Sequence, residues 1–109
     1  MGFSELTKVI KEKVSSALLE NDILEFQIYL FGSQARGTAK QDSDFDILIL
    51  TNQILDGREV FNLQAKVLWS LRGLRESFDV IIKSTADFAE EKDIAGSLAF
   101  AIKNEAVAL

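Results

Sequence analysis

Two aspartates one residue apart, Asp44 and Asp46, open an almost wholly apolar run, DFDILIL. Along an extended strand side chains alternate between faces, so residues i and i+2 point the same way. One face therefore begins with two like charges and turns apolar at Leu48 and Leu50, while Phe45, Ile47 and Ile49 cover the other. Carboxylates that close repel, and each resists ionisation unless a cation or a donor sits between them. A divalent metal at the edge of the sheet resolves the conflict. Asp79 repeats the oddity, set between Phe78 and Val80-Ile81-Ile82. Three carboxylates on two neighbouring strands could form an oxygen cage for magnesium, completed by water and phosphate oxygens. A plainer reading stays open beside it: Asp-x-Asp at a strand start is commonly a turn or capping feature, and Asp79 could face solvent.

Upstream, Gly32-Ser33 follows the apolar stretch FQIYLF. Glycine lets the backbone turn sharply and lets a ligand approach the amides closely. Those amides, with the Ser33 hydroxyl, could grip phosphate oxygens. Arg36, three residues on, could add a planar guanidinium suited to phosphate. The alternative is an ordinary strand-to-helix turn followed by a solvent-facing arginine.

The rest of the composition narrows the chemistry. The chain has no histidine and no cysteine, which removes the commonest general base, disulfides and thiolate metal sites. Carboxylates, hydroxyls, lysine and arginine remain, and the metals they favour are hard cations such as magnesium. A net charge of −5 gives no general attraction to nucleic acid, so no long nucleic-acid substrate is expected. A single nucleotide held locally remains compatible. The N-terminal stretch MGFSELTKVIKEKV is no signal peptide, its Gly2 and Thr7 do not match a myristoylation signal, and no run is apolar enough to span a bilayer. A soluble cytoplasmic protein is expected. With 109 residues, 48% hydrophobic and 27% charged, the composition is that of one globular domain over 1–109.

Those residues need elements to position them. Phe3, Leu6, Ile10, Val14, Ala17 and Leu18 recur at helical spacing, predicting a helix from Phe3 to about Glu20, with Ser4 as N-cap and a stop at Asn21-Asp22. FQIYLF, DFDILIL and FDVIIK read as three strands. Ser33 to about Thr38 reads as a turn or short helix. Asp56 with Glu59 resembles a capping box opening a helix to about Glu76. Val60, Leu63, Val67, Leu71 and Leu74 mark its apolar face, widened by Phe61, Leu68 and Trp69. From Thr85 one or two short helices follow, with Ile94, Leu98, Ala101 and Ile102 in the second. Strands separated by helices predict an α/β or α+β fold: a small mixed sheet flanked by helices, its strand order undetermined.

Taken together, Gly32-Ser33, ten residues, Asp44-Phe45-Asp46, Arg36-Gly37 and a later Asp79 resemble the polymerase-β-like nucleotidyltransferase superfamily in its minimal stand-alone form. The resemblance runs over nearly the whole chain, and its most specific part is the spacing from the Gly-Ser turn to the two aspartates. It implies transfer of a nucleoside monophosphate, AMP from ATP, with two Mg2+ ions held by Asp44 and Asp46. Asp79 would hold the ion that activates the attacking hydroxyl and assist its deprotonation, making these three the catalytic and metal-binding residues. Gly32, Ser33 and Arg36 would hold the distal phosphates, and Ser43, directly ahead of Asp44, is counted with the nucleotide-binding residues. Minimal members of this type often act with a small helical HEPN-type partner. In such pairs the nucleotidyltransferase can serve as the antitoxin by adenylylating a tyrosine of the toxin, so the resemblance implies such a partner here. Such a partner, or self-association into a homo-oligomer, would complete the acceptor site, since few residues remain for an acceptor domain. Two further readings stand beside this one. The first is a module that neutralises its partner by contact alone, and the second is small-molecule modification of the aminoglycoside type.

Overall fold

The computed structural model describes all 109 residues. The first helix, α1 (Phe3–Glu20), buries Leu6, Ile10, Val14, Ala17 and Leu18 along one stripe. Its N-cap is Gly2 rather than Ser4. The helix starts earlier than the capping signal suggests, and the Ser4 carbonyl instead accepts from the Thr7 hydroxyl. Asn21 closes it, and Asp22 takes a left-handed φ of 64°. Then come β1 (Phe26–Phe31), the short helix α2 (Gly32–Arg36), β2 (Phe45–Thr51), α3 (Gly57–Ser70), β3 (Phe78–Ser84), α4 (Thr85–Glu91), α5 (Leu98–Ile102) and a two-residue strand, β4 (Val107–Ala108). No helix is long and apolar enough to cross a membrane.

The four strands form one mixed sheet in the order β3-β2-β1-β4. β1 runs antiparallel to β2 and to β4, whereas β2 and β3 are parallel. The fold is α+β with a small mixed sheet, as the sequence predicts. Alternation divides the sheet cleanly. Phe45, Ile47, Ile49, Ile28, Leu30, Val80 and Ile82 face α1 and α3 in the main core. On the other face Phe31, Leu48 and Leu50 pack with Ile102 of α5. Each of these apolar side chains, fully buried, contributes roughly 1.5–3 kcal/mol, and most of them lie on β1 and β2. The central pair is therefore the rigid base from which the site is built.

α3 departs from its predicted form in two ways. Its capping box is present, with the Asp56 carboxylate accepting from Glu59 N–H and Glu59 from Asp56 N–H. It ends at Ser70, however, not near Glu76: a 3-10 turn at Arg72–Leu74 follows, and Arg75 has a φ of 57°. Gly73, a poor helix former, lies in that turn. The apolar face is also narrower than predicted. Leu63, Val67 and Leu71 are buried, but Phe61, Leu68 and Trp69 are exposed. At 3.6 residues per turn these three lie roughly 100° or more around the helix from the buried stripe. Trp69 instead stacks under the Arg72 guanidinium. In the tail, Ser84 and Ser97 cap α4 and α5, and Ile94 falls outside both helices.

Candidate active site

The site gathers where β1 ends and where β2 and β3 begin. Phe45 N–H donates to the Ser77 carbonyl at 2.9 Å, which fixes the two parallel strands in register from their first residues. In that register Asp46 lies opposite Asp79 on one side and Phe31 on the other. Laterally paired residues share a face, so the two carboxylates stand side by side. Asp44 precedes the first residue of β2, one position ahead of the observed strand start, and is exposed. Asp79 is exposed as well, and Asp46 is half-buried.

Electrostatics tie the three together. Burial pushes the Asp46 carboxyl above its ordinary range, and the charges of Asp79 and then Asp44 push it further. Arg36 opposes them, and Glu105 adds a smaller push upward. An unneutralised cluster of this kind is the donor chemistry that a hard divalent cation satisfies. The carboxylates are brought to one end of the sheet without being closed into a cage: no three acidic side chains are arranged to hold an ion by themselves. Ligands from water or phosphate would have to complete the coordination, as magnesium sites usually require.

The Gly32-Ser33 turn abuts this cluster. Gly32 is buried with a φ of 74°, and a Cβ at this position would collide with the Asp46 carboxylate. Only glycine permits both the left-handed backbone and the close approach. The turn leads straight into α2, which begins at Gly32, so the first turn of this helix starts where the backbone meets Asp46. Arg36 closes α2, and Gly37, at φ 75°, ends it. The guanidinium of Arg36 does not reach freely outward; its Nη1 donates to Glu105 Oε2 at 2.8 Å. Ser43 is also engaged: its hydroxyl accepts from Lys40 N–H at 2.7 Å, and its carbonyl accepts from Gln34 Nε2. It shapes the loop that delivers Asp44. A surface cavity of about 750 Å3 is lined by α1 and α3 residues such as Glu12, Lys66 and Trp69 and by none of the site residues. With Asp44 and Asp79 exposed, the carboxylate cluster faces solvent at the edge of the sheet.

Two participants have no signal in the sequence. Gln34 reads like any polar turn residue, and Glu105 like any charge in a short tail. Both gain meaning only from contacts across the fold.

The sequence model of the nucleotidyltransferase domain family matches residues 8–109. The chain belongs to this family. Among solved structures, it is similar to a candidate nucleotidyltransferase from Sulfolobus solfataricus at 30% identity, covering 93% of this chain and 76% of that one with a TM-score of 0.59. It is also similar to a chain of a toxin-antitoxin structure with AMP-PNP, at 25% identity, 89% and 69% coverage and a TM-score of 0.52. A third likeness is to a mutant of the toxin-antitoxin MntA-HpeT, at 26% identity, 91% and 70% coverage and a TM-score of 0.51. No curated protein sequence matches the chain. For a nucleotidyltransferase the absence of histidine is no obstacle, because this transfer depends on positioning and charge neutralisation more than on covalent chemistry.

Proposed function

We propose that this nucleotidyltransferase moves AMP from ATP onto a hydroxyl of a helical HEPN-type partner, a tyrosine of the toxin for which this chain is the antitoxin. The observation that carries the reading is the lateral pairing of Asp46 with Asp79, with the charge of Asp44 acting on Asp46 and Gly32 pressed against the Asp46 carboxylate. Its partner side is supported by the likeness to toxin-antitoxin structures, one of them with AMP-PNP.

Asp44, Asp46 and Asp79 would hold Mg2+, which when bound supplies neutralisation of the charge that develops on the attacked phosphate. The Ser33 hydroxyl and the amides that follow Gly32 bind the distal phosphates, the Gly32 N–H itself being taken by the Glu105 carboxylate. Asp79, exposed at the sheet edge, takes the proton of the attacking hydroxyl. The hydroxyl oxygen forms a bond to the α-phosphorus, the bond from that phosphorus to the bridging oxygen of the β-phosphate breaks, and pyrophosphate leaves with the electron pair. The open edge leaves room for an acceptor presented by another protein.

Incubation with labelled ATP, magnesium and the helical protein encoded next to this chain should label that protein. Asp44→Asn with Asp46→Asn should abolish the label. Undiminished labelling by that variant would sink the metal assignment. Full neutralisation of the partner without any label would favour contact alone.

A further inference from the structure

Glu105 lies in the turn between α5 and β4, and its backbone is held from both sides. Its N–H and that of Ala106 donate to the Ile102 carbonyl. Immediately after it, β4 pairs with the middle of β1, Ala108 opposite Tyr29 and Val107 opposite Leu30, and Leu109 N–H donates to the Ile28 carbonyl. The carboxylate is thereby delivered to the end of β1, where it makes two contacts at once. Oε1 accepts from Gly32 N–H at 3.0 Å, and Oε2 accepts from Arg36 Nη1 at 2.8 Å. One side chain, 23% exposed, thus ties the first residue of α2 to the last.

We propose that Glu105 is a positioning residue of the nucleotide site, which fixes the Gly32-Ser33 turn and aims the Arg36 guanidinium. The inference rests on the reading of that turn as the phosphate-contacting element. Two features separate it from an ordinary surface ion pair. A half-exposed pair adds little to stability, whereas this one spans the turn through a backbone amide as well as a guanidinium. The contact also places a negative charge beside acidic neighbours and near the path of a polyphosphate, an arrangement that is unfavourable unless the orientation it enforces matters. Arg36 holds the Glu105 carboxyl below its ordinary range, with the Gly32 amide adding to the effect, so the carboxylate stays charged while it does this.

Glu105→Gln separates the two contacts. The amide oxygen can still accept from Gly32, but its NH2 group faces the guanidinium, donor against donor. Titration calorimetry with ATP and magnesium should show binding about five-fold weaker in Glu105→Gln, the order expected for one lost charge-assisted contact at a half-exposed site. The sign is diagnostic, because removing a negative charge near a polyphosphate would by itself tighten binding. Arg36→Gln should weaken binding similarly, and the double variant should be no weaker than Arg36→Gln alone, as expected when Glu105 acts through Arg36. Ser33→Ala is the control for the underlying reading. If Ser33→Ala weakens binding while Glu105→Gln leaves it unchanged or tightens it, the positioning role is overturned and the turn assignment survives. If Ser33→Ala has no effect, both fall. Should circular dichroism find Glu105→Gln unfolded, Glu105→Asp replaces it: the shorter carboxylate reaches only one donor, so weaker binding supports the role and unchanged binding overturns it.

Discussion

Replacing Gly32 by alanine tests the closest approach in the site, because the added methyl group meets two separate obstacles. The backbone there has a φ of 74°, and the new Cβ would overlap the Asp46 carboxylate. Left-handed backbone costs an L-residue about 1–2 kcal/mol. Forcing Asp46 away from its preferred rotamer adds roughly 0.5–1.5 kcal/mol. The expected loss is about 2–3 kcal/mol against a total stability on the order of 5–15 kcal/mol. Urea unfolding followed by far-ultraviolet circular dichroism would register this as a midpoint about 1 M lower, given slopes of roughly 1–3 kcal/mol per molar. The same substitution made in an Asp46→Ala background keeps the dihedral strain and lacks the obstacle. Its cost there should be smaller by about 1 kcal/mol. An equal cost in both backgrounds, or a cost under about 0.5 kcal/mol in the wild type, would refute the claim that Gly32 and Asp46 compete for one volume.

Three other outcomes follow from the same geometry. The folded-state carboxyl of Asp46 is raised, so its favourable contribution is complete only below the ordinary carboxylate range and is lost as pH rises through the raised value; Asp46→Asn should accordingly melt higher than wild type at neutral pH without divalent ions, and the gap should close on acidification. Magnesium chloride should raise the melting temperature of the wild type but not of the Asp44→Asn, Asp46→Asn variant, by the mass-action stabilisation that any native-state ligand confers. Asp56→Ala removes the N-cap of α3 and should cost about 1 kcal/mol in urea titration, leaving nucleotide binding untouched because no site residue lies on that helix.

Much of this architecture is legible in the amino-acid sequence, and for identifiable reasons. FQIYLF spans β1 to the residue, because a run of aromatic and branched residues ending at glycine has few other conformations. The Asp56–Glu59 box marks α3 because capping is local chemistry. Periodicity fails where it is asked for more than it carries. Phe61 and Trp69 are apolar yet lie outside the stripe, and the helix stops before Gly73 although the pattern continues to Leu74. β4 is invisible in the sequence, since two residues that pair only with the distant β1 leave no pattern of their own. The site divides along the same line. Gly32, Ser33, Asp44 and Asp46 fall within one connection between antiparallel strands and its immediate flank, so their spacing survives as a signature in the chain. That Asp79 pairs with Asp46, and that Glu105 anchors Arg36, depends on register and on a return of the chain that only the folded molecule supplies.

The burial of β2 has a consequence for how this site can respond to what it binds. Every residue from Ile47 to Thr51 is buried, so the amides of this strand should exchange with solvent only through openings close to global unfolding. Between Thr38 and Asp44, by contrast, the chain is tied by a few turn hydrogen bonds, Thr38 N–H to Ser33 and Ser43 N–H to Lys40 among them. Deuterium uptake would then split the site into a slow half carrying Asp46 and a fast half leading into Asp44. A ligand arriving at this edge cannot pull the strand to itself. It can only quiet the loop, and the protection gained there would record its arrival.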